Sequence, residues 1–131
     1  MCPAATATPF ARMLHPFGVP IETIHADAGA AAQLKLLRSV FMKGLAAVVV
    51  ESLGAAESSG ALSWLRAQIA AELGPDGEAL VTRLLAGTYA HAERREHEMR
   101  DALAALEAAG RPSDMTRGTL AWFTRILDEQ G

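Results

Sequence analysis

Cysteine is almost missing from this sequence. Cys2 is the single one in 131 residues, so neither a disulfide framework nor a cysteine-based metal cluster can form within the chain. A basic field is missing too: 12 Lys and Arg against 15 Asp and Glu leave a formal net charge of -3 and a pI near 5.8. Binding to a nucleic-acid backbone is therefore not expected. The most apolar run, residues 45–50, is far shorter than the ~20 residues of a membrane span, and the start of the chain lacks a basic stretch followed by a long apolar one. No membrane association is expected, and the location read from these features is cytoplasmic. There is no Gly-x-Gly-x-x-Gly fingerprint, no Walker A lysine loop and no Gly-x-Ser-x-Gly elbow. Hydrolase chemistry has no visible support, and the chain is not expected to hold a dinucleotide in the usual way by itself.

Half of the residues are hydrophobic and 21% are charged, but only 5% are aromatic and alanine carries much of the apolar content. That composition fits one domain of closely packed helices. Prolines at 3, 9, 16 and 20 argue that the first twenty residues are mostly non-helical. Residues 21–25 have the alternation of a short strand, for which the rest of the chain offers no sheet. After Asp27 the pattern is helical, punctuated by Gly60, by Gly74-Pro75 and by Gly110-Arg111-Pro112. The first helix, capped by Asp27, runs for about thirty residues, against a usual mean of roughly 11 to 12. Its stripe is Leu34, Leu37, Phe41, Leu45, Val48 and Val49, with small residues between them that permit close approach. Further helices are expected over 61–73 (Leu62, Leu65, Ile69), after Asp76 (Leu80, Leu84, Leu85), from about Tyr89 to Ala109 after a break at Gly87-Thr88 (Met99, Leu103, Leu106), and from Ser113 or Thr116 (Leu120, Phe123, Leu127, with Trp122 and Ile126 as a second stripe). The expected fold is all-α: several helices bundled around one long helix, preceded by a short extended segment.

Two polar clusters stand out. Lys35 and Lys43 are the only lysines in a chain that otherwise uses arginine. A partly buried lysine can exchange a proton near neutral pH, and an arginine cannot. Lys35 and Ser39 are one helical turn apart, with Arg38 beside them and Lys43 continuing the row. The row suits an anion, but it equally suits solvated head groups over a core helix. The second cluster, residues 91–98, could pair internally as Glu93 with His97 or Arg94 with Glu98, or it could touch a ligand. His91 and His97 are six apart, about 240° around a helix, so they do not converge as zinc ligands. No metal is expected.

The stretch from Asp27 through Gln33-Leu34-Lys35-Leu36-Leu37-Arg38-Ser39 and Phe41-Met42-Lys43-Gly44 to Glu51 resembles the first C-terminal helix of 6-phosphogluconate dehydrogenase-like proteins. Tyr89 to Met99 and the Gly110 to Thr116 turn add to the likeness, which runs from about Pro20 to the end. The form it is most similar to is the bacterial C-terminal domain of unknown function within that superfamily. In β-hydroxyacid dehydrogenases of this kind, a Gly-rich turn leads to a helix with a catalytic lysine, followed one turn later by an asparagine. The resemblance implies that Lys35 takes the hydroxyl proton as hydride leaves for nicotinamide, with Gly29, Arg38 and Ser39 contacting substrate. Arg38-Ser39 stands where the better-known members carry Asn-Asn. The Lys-Asp pair of their later helix falls at His97-Glu98, which implies a cofactor contact there.

Residues 1–26 are then expected to be a tail and the last strand of a Rossmann domain whose earlier part lies outside this chain. Residues 27–131 are expected to be a helical substrate and dimerisation domain. The implied cofactor is NAD or NADP, held mainly by that absent domain. The implied partners are a small hydroxyacid substrate and a second copy, through the face carrying Trp122 and Phe123. The rival expectation is a free-standing helical dimerisation module without chemistry. A regulator that binds an acidic effector through Lys35, Arg38 and Lys43 is a third possibility.

Overall fold

The computed structural model describes residues 2–3, 9, 11–18, 23–24 and 29–131. They fall into two compact units, Met1–Arg38 and Ser39–Gly131. In the first, strand β1 (Cys2–Pro3) pairs in parallel with β2 (Thr23–Ile24), Cys2 opposite Thr23 and Pro3 opposite Ile24. The expected strand is thus present at Thr23 and Ile24, but it is not an orphan. Its backbone groups are met by the N-terminal dipeptide, a partner that two residues including a proline do not announce. Residues 11–14 are helical and lead into a 3-10 helix at His15–Phe17, so part of the first twenty residues is helical. Pro16 stands in the first turn of that helix, where a missing N–H costs no hydrogen bond and the fixed φ is already suitable. Ile21, Glu22, His25 and the expected cap Asp27 lie outside the described residues.

Five α-helices follow: α1 (Ala30–Ser58), α2 (Leu62–Glu72), α3 (Gly77–Ala90), α4 (Ala92–Ala108) and α5 (Asp114–Gln130). The expected stops hold, since Gly60, Gly74 and Gly110 all take positive φ, at 72°, 89° and 62°. The break expected at Gly87-Thr88 lies instead at His91, whose φ of -131° and ψ of 30° end one helix and begin the next. Thr88 stays helical because its hydroxyl donates to the Leu84 carbonyl at 2.7 Å. Gly87 serves proximity instead, since a Cβ there would lie 2.6 Å from Nη2 of Arg95, which reaches across from α4.

At 29 residues, α1 has the expected length, but its buried face differs from the expected stripe. Ala46, Ala47, Val49, Val50, Leu53 and Ala56 are buried, whereas Leu34, Leu37, Phe41 and Val48 are 45–67% exposed. Val49 of the expected stripe is in the core and Leu45 packs against it, so the stripe holds in part. Ala46, Val49 and Leu53 form a core with Val81 and Leu84 of α3, flanked by Leu65 and Ile69 of α2 and by Leu80 and Leu85. By length and composition alone α1 could also cross a membrane. Helices α4 and α5 pack on each other, and Met99, Ala102, Phe123 and Ile126 are buried there.

Helices α2 and α3 meet so closely at Gly77 that an added Cβ would lie 1.8 Å from the Ala70 carbonyl oxygen. Alanine normally gains up to about 1 kcal/mol over glycine in a helix. Here the clash is with backbone, so no rotamer relieves it, and overpacking of this kind costs about 1–3 kcal/mol or more. Gly77→Ala is therefore expected to lower the melting temperature. Gly54→Ala, within α1 and with open space at its Cβ, is expected to raise it. Two shifts of the same sign in thermal unfolding would contradict this packing.

Candidate functional site

The second unit holds one connected polar cluster between α1 and α4. Ser39 and Lys43 are one turn apart on α1, and Arg94 and Glu98 are one turn apart on α4, so each pair shares a helix face. Lys43 Nζ lies 2.5 Å from Glu98 Oε2 and donates to Ser39 Oγ at 3.1 Å. Arg94 Nη1 donates to the other carboxylate oxygen, Oε1, at 2.9 Å. The Lys43 side chain is only 15% exposed and that of Glu98 32%, so the pair sits well out of bulk water. Burial alone would raise the Glu98 carboxyl, but the hydrogen bond and charge of Lys43, with those of Arg94, outweigh it and hold the group below the usual carboxylate range. A depressed carboxylate stabilises the fold above its unfolded pKa, and that contribution is lost as pH falls through the folded value. The difference in melting temperature between the wild type and Glu98→Gln is thus expected to be present near neutral pH. It should close in acid below the usual carboxylate range; a gap that persists unchanged there would contradict the ion pair.

The other expected site residues are placed differently. Lys35 and Arg38 lie on the first-unit part of α1 and are exposed. Gly29, with φ of 98°, takes a conformation that side-chain-bearing residues avoid, and its carbonyl accepts from the Gln33 N–H at the start of α1. His97 is 70% exposed and its Nε2 is 3.7 Å from Asp101, so the pairing with Glu93 does not form. The pairing of Arg94 with Glu98 does. The cluster therefore joins Ser39 and Glu98 through Lys43, and does not include His97. The spacing of Lys43 from Ser39 was visible in the sequence, but its partner on α4 is not a neighbour in sequence.

Beside the cluster, half-buried Arg95 links α4 to α3, its Nη1 donating to Thr88 Oγ1 at 2.9 Å. Burial, with the charge of Arg94, lowers its affinity for the proton. On another side of α1 a groove of about 340 Å³ runs along α5, lined by Gly44, Ala47, Val48, Gly118 and Trp122. Trp122 Nε1 donates to Glu51 Oε2 at 2.5 Å, and Arg125 lies 4.6 Å over its ring. Phe123 and Ile126 are 0% and 2% exposed, so they belong to the core and Phe123 cannot form part of a dimer face as expected.

Residues 56–126 match the family model of a domain of unknown function, DUF1932. The chain belongs to this family. Within that DUF1932 segment lie Arg94 and Glu98, whereas Gly29, Lys35, Arg38, Ser39 and Lys43 precede it. An uncharacterized 28.5 kDa protein of Methanothermus fervidus is 34% identical over 88 residues, which cover 67% of this chain and 35% of that protein. The chain thus spans about a third of the length of this curated relative. A conserved hypothetical protein from Sinorhizobium meliloti shares the fold with a TM-score of 0.73 and 28% identity, over 93% of this chain and 41% of that one. The conserved protein MTH1747, described as structurally similar to 3-hydroxyacid dehydrogenases, matches with a TM-score of 0.79 and 26% identity, over 98% of this chain and 49% of its own. The family and the neighbours agree with the resemblance to a C-terminal domain of a β-hydroxyacid dehydrogenase-like protein.

Proposed function

We propose that this DUF1932 chain is the substrate-binding and dimerisation part of an NAD(P)-dependent β-hydroxyacid dehydrogenase-like oxidoreductase. The observation that carries the reading is the likeness to MTH1747 along nearly the whole chain, including the α1 segment with Lys35 and Ser39. In this reading Lys35 exchanges the substrate hydroxyl proton, while Gly29, Arg38 and Ser39 shape and contact the substrate site. The pair His97-Glu98 is assigned the nicotinamide contact in the same reading, with Glu98 paired to Lys43 and Arg94 and the His97 side chain 70% exposed. The dinucleotide is assigned mainly to a Rossmann domain outside this chain. A homodimer and a cytoplasmic location go with the same reading.

The test is a dehydrogenase assay on the polypeptide that carries this chain in its source cells. Given NAD⁺ or NADP⁺ and a panel of small 3-hydroxy acids, it should form reduced nicotinamide with at least one of them. No reduction with any, by protein that is folded, would overturn the reading. The result would then favour a helical dimerisation module, for which the exposure of Phe41, Val48 and Met115 at 67%, 50% and 68% speaks. Under that alternative, Phe41→Ser weakens self-association and no dehydrogenase activity is found.

A further inference from the structure

Four of the nine serine and threonine hydroxyls on the α-helices turn back on their own helix. Among the described residues, Ser58, Thr88, Thr119 and Thr124 donate to the carbonyls of Gly54, Leu84, Met115 and Leu120, each four residues earlier. Thr88 also accepts from Arg95, so both its donor and an acceptor position are used inside the protein. Ser39 makes no such bond back among the described residues. Its Oγ accepts from Lys43 Nζ instead. A serine hydroxyl has one hydrogen and two acceptor lone pairs. With the ammonium on one lone pair, the hydrogen is repelled by that charge and aimed away from it. Ser39 is only partly buried, so this hydrogen can be reached from outside.

Lys43 is itself held in place. Its Nζ donates one N–H to Ser39 and lies in ion-pair contact with Glu98, which is in turn tied to Arg94. Two cations against one carboxylate leave the cluster one net positive charge. We propose that Lys43, anchored by Glu98, is a positioning residue that fixes Ser39 as a hydrogen-bond donor to an acceptor oxygen of a small anionic ligand, such as the carboxylate of a hydroxyacid. The inference rests on the dehydrogenase reading, in which Ser39 contacts the substrate. It adds the device that makes this serine a donor, and it explains why a lysine, with three separately directed donors, stands at position 43 in a chain that otherwise uses arginine.

The two lysines give a direct test. In the full chain labelled with ¹⁵N-lysine only two side-chain signals are present, from Lys35 and Lys43. Titration with 3-hydroxypropionate is expected to shift the Lys43 signal saturably. Ser39→Ala and Lys43→Met, the latter followed through Lys35, are each expected to weaken binding about ten-fold. The double variant should be no weaker than either single one, because both changes remove the same hydrogen bond. Lys43→Arg should restore part of the affinity, as a merely space-filling lysine would not require. If Lys43→Met does not fold, Glu98→Gln loosens the same anchor and is read in its place. Wild-type affinity in Lys43→Met, or a double variant about a hundred-fold weaker, would overturn the positioning role alone. No saturable shift in the wild type would overturn it together with the hydroxyacid reading.

Discussion

Phe123→Ala is expected to destabilise the protein by about 3–5 kcal/mol, the largest loss of any single truncation in its core. Phe123 is wholly buried and heads the fully enclosed side chains by size, on the helix α5 that packs along α4. Removing its ring forfeits the transfer free energy of a large apolar side chain. It also leaves a cavity that two helices locked by other contacts cannot close. One such contact is the Arg117 to Glu107 ion pair between α5 and α4, and another is the bond from Trp122 to Glu51. A domain of this size has a total stability of about 5–15 kcal/mol, so the loss would remove a large part of it. Urea unfolding followed by tryptophan fluorescence measures it directly. A change below about 1 kcal/mol would mean that the Phe123 pocket is not enclosed, and that α5 instead turns this face outward for a partner, as its pattern alone suggested.

Phe123 and Trp122 mark where sequence patterns stop being decisive. Two apolar stripes on α5 predict two packing faces, yet the buried face takes Phe123 from one and Ile126 from the other. Which residues turn inward depends on what the neighbouring helices present, and no local rule contains that. The same ambiguity governed α1. Leu34, Leu37, Phe41, Leu45, Val48 and Val49 keep a helical period, so they read as the core stripe. In the structure Val49 is buried and Leu45 packs on the core, but Leu34, Leu37, Phe41 and Val48 are exposed, and Ala46, Ala47, Val50 and Leu53 face inward instead. The helix boundaries were legible wherever the backbone itself dictates them. Gly60, Gly74 and Gly110 stop helices by a conformation other residues avoid, while Gly87 looked like a stop and is a contact. The partner of β2 was not legible, since Cys2–Pro3 has neither the length nor the alternation of a strand.

The polar cluster was legible in halves. The spacing of Ser39 from Lys43 and of Arg94 from Glu98 follows from one helical turn, and both pairs form. That the two pairs meet is tertiary information, and it changes the meaning of both. Glu98 becomes the anchor of a partly buried lysine on another helix. Lys43, which seemed only to extend a basic row, becomes the enclosed lysine of the chain, while Lys35 remains exposed on the part of α1 that belongs to the first unit.

In the proposed full-length dehydrogenase, Lys35→Arg is expected to lower kcat by a factor of about 100 or more while leaving the fold intact, because arginine keeps the positive charge but cannot give up its proton in a protein. Lys35 is exposed at the surface of α1, so the change creates no cavity and breaks no buried pair, and the melting temperature should stay within about 1–2 °C. The loss should fall on kcat more than on KM, since a cation still faces the substrate while the proton acceptor is gone. The expected result is a folded, substrate-binding and nearly inactive enzyme, measured by reduced-nicotinamide formation under substrate saturation. Near-normal turnover would remove Lys35 from the chemistry. Lys43 would not take its place without further change, because its ammonium is already committed to Glu98 and to Ser39.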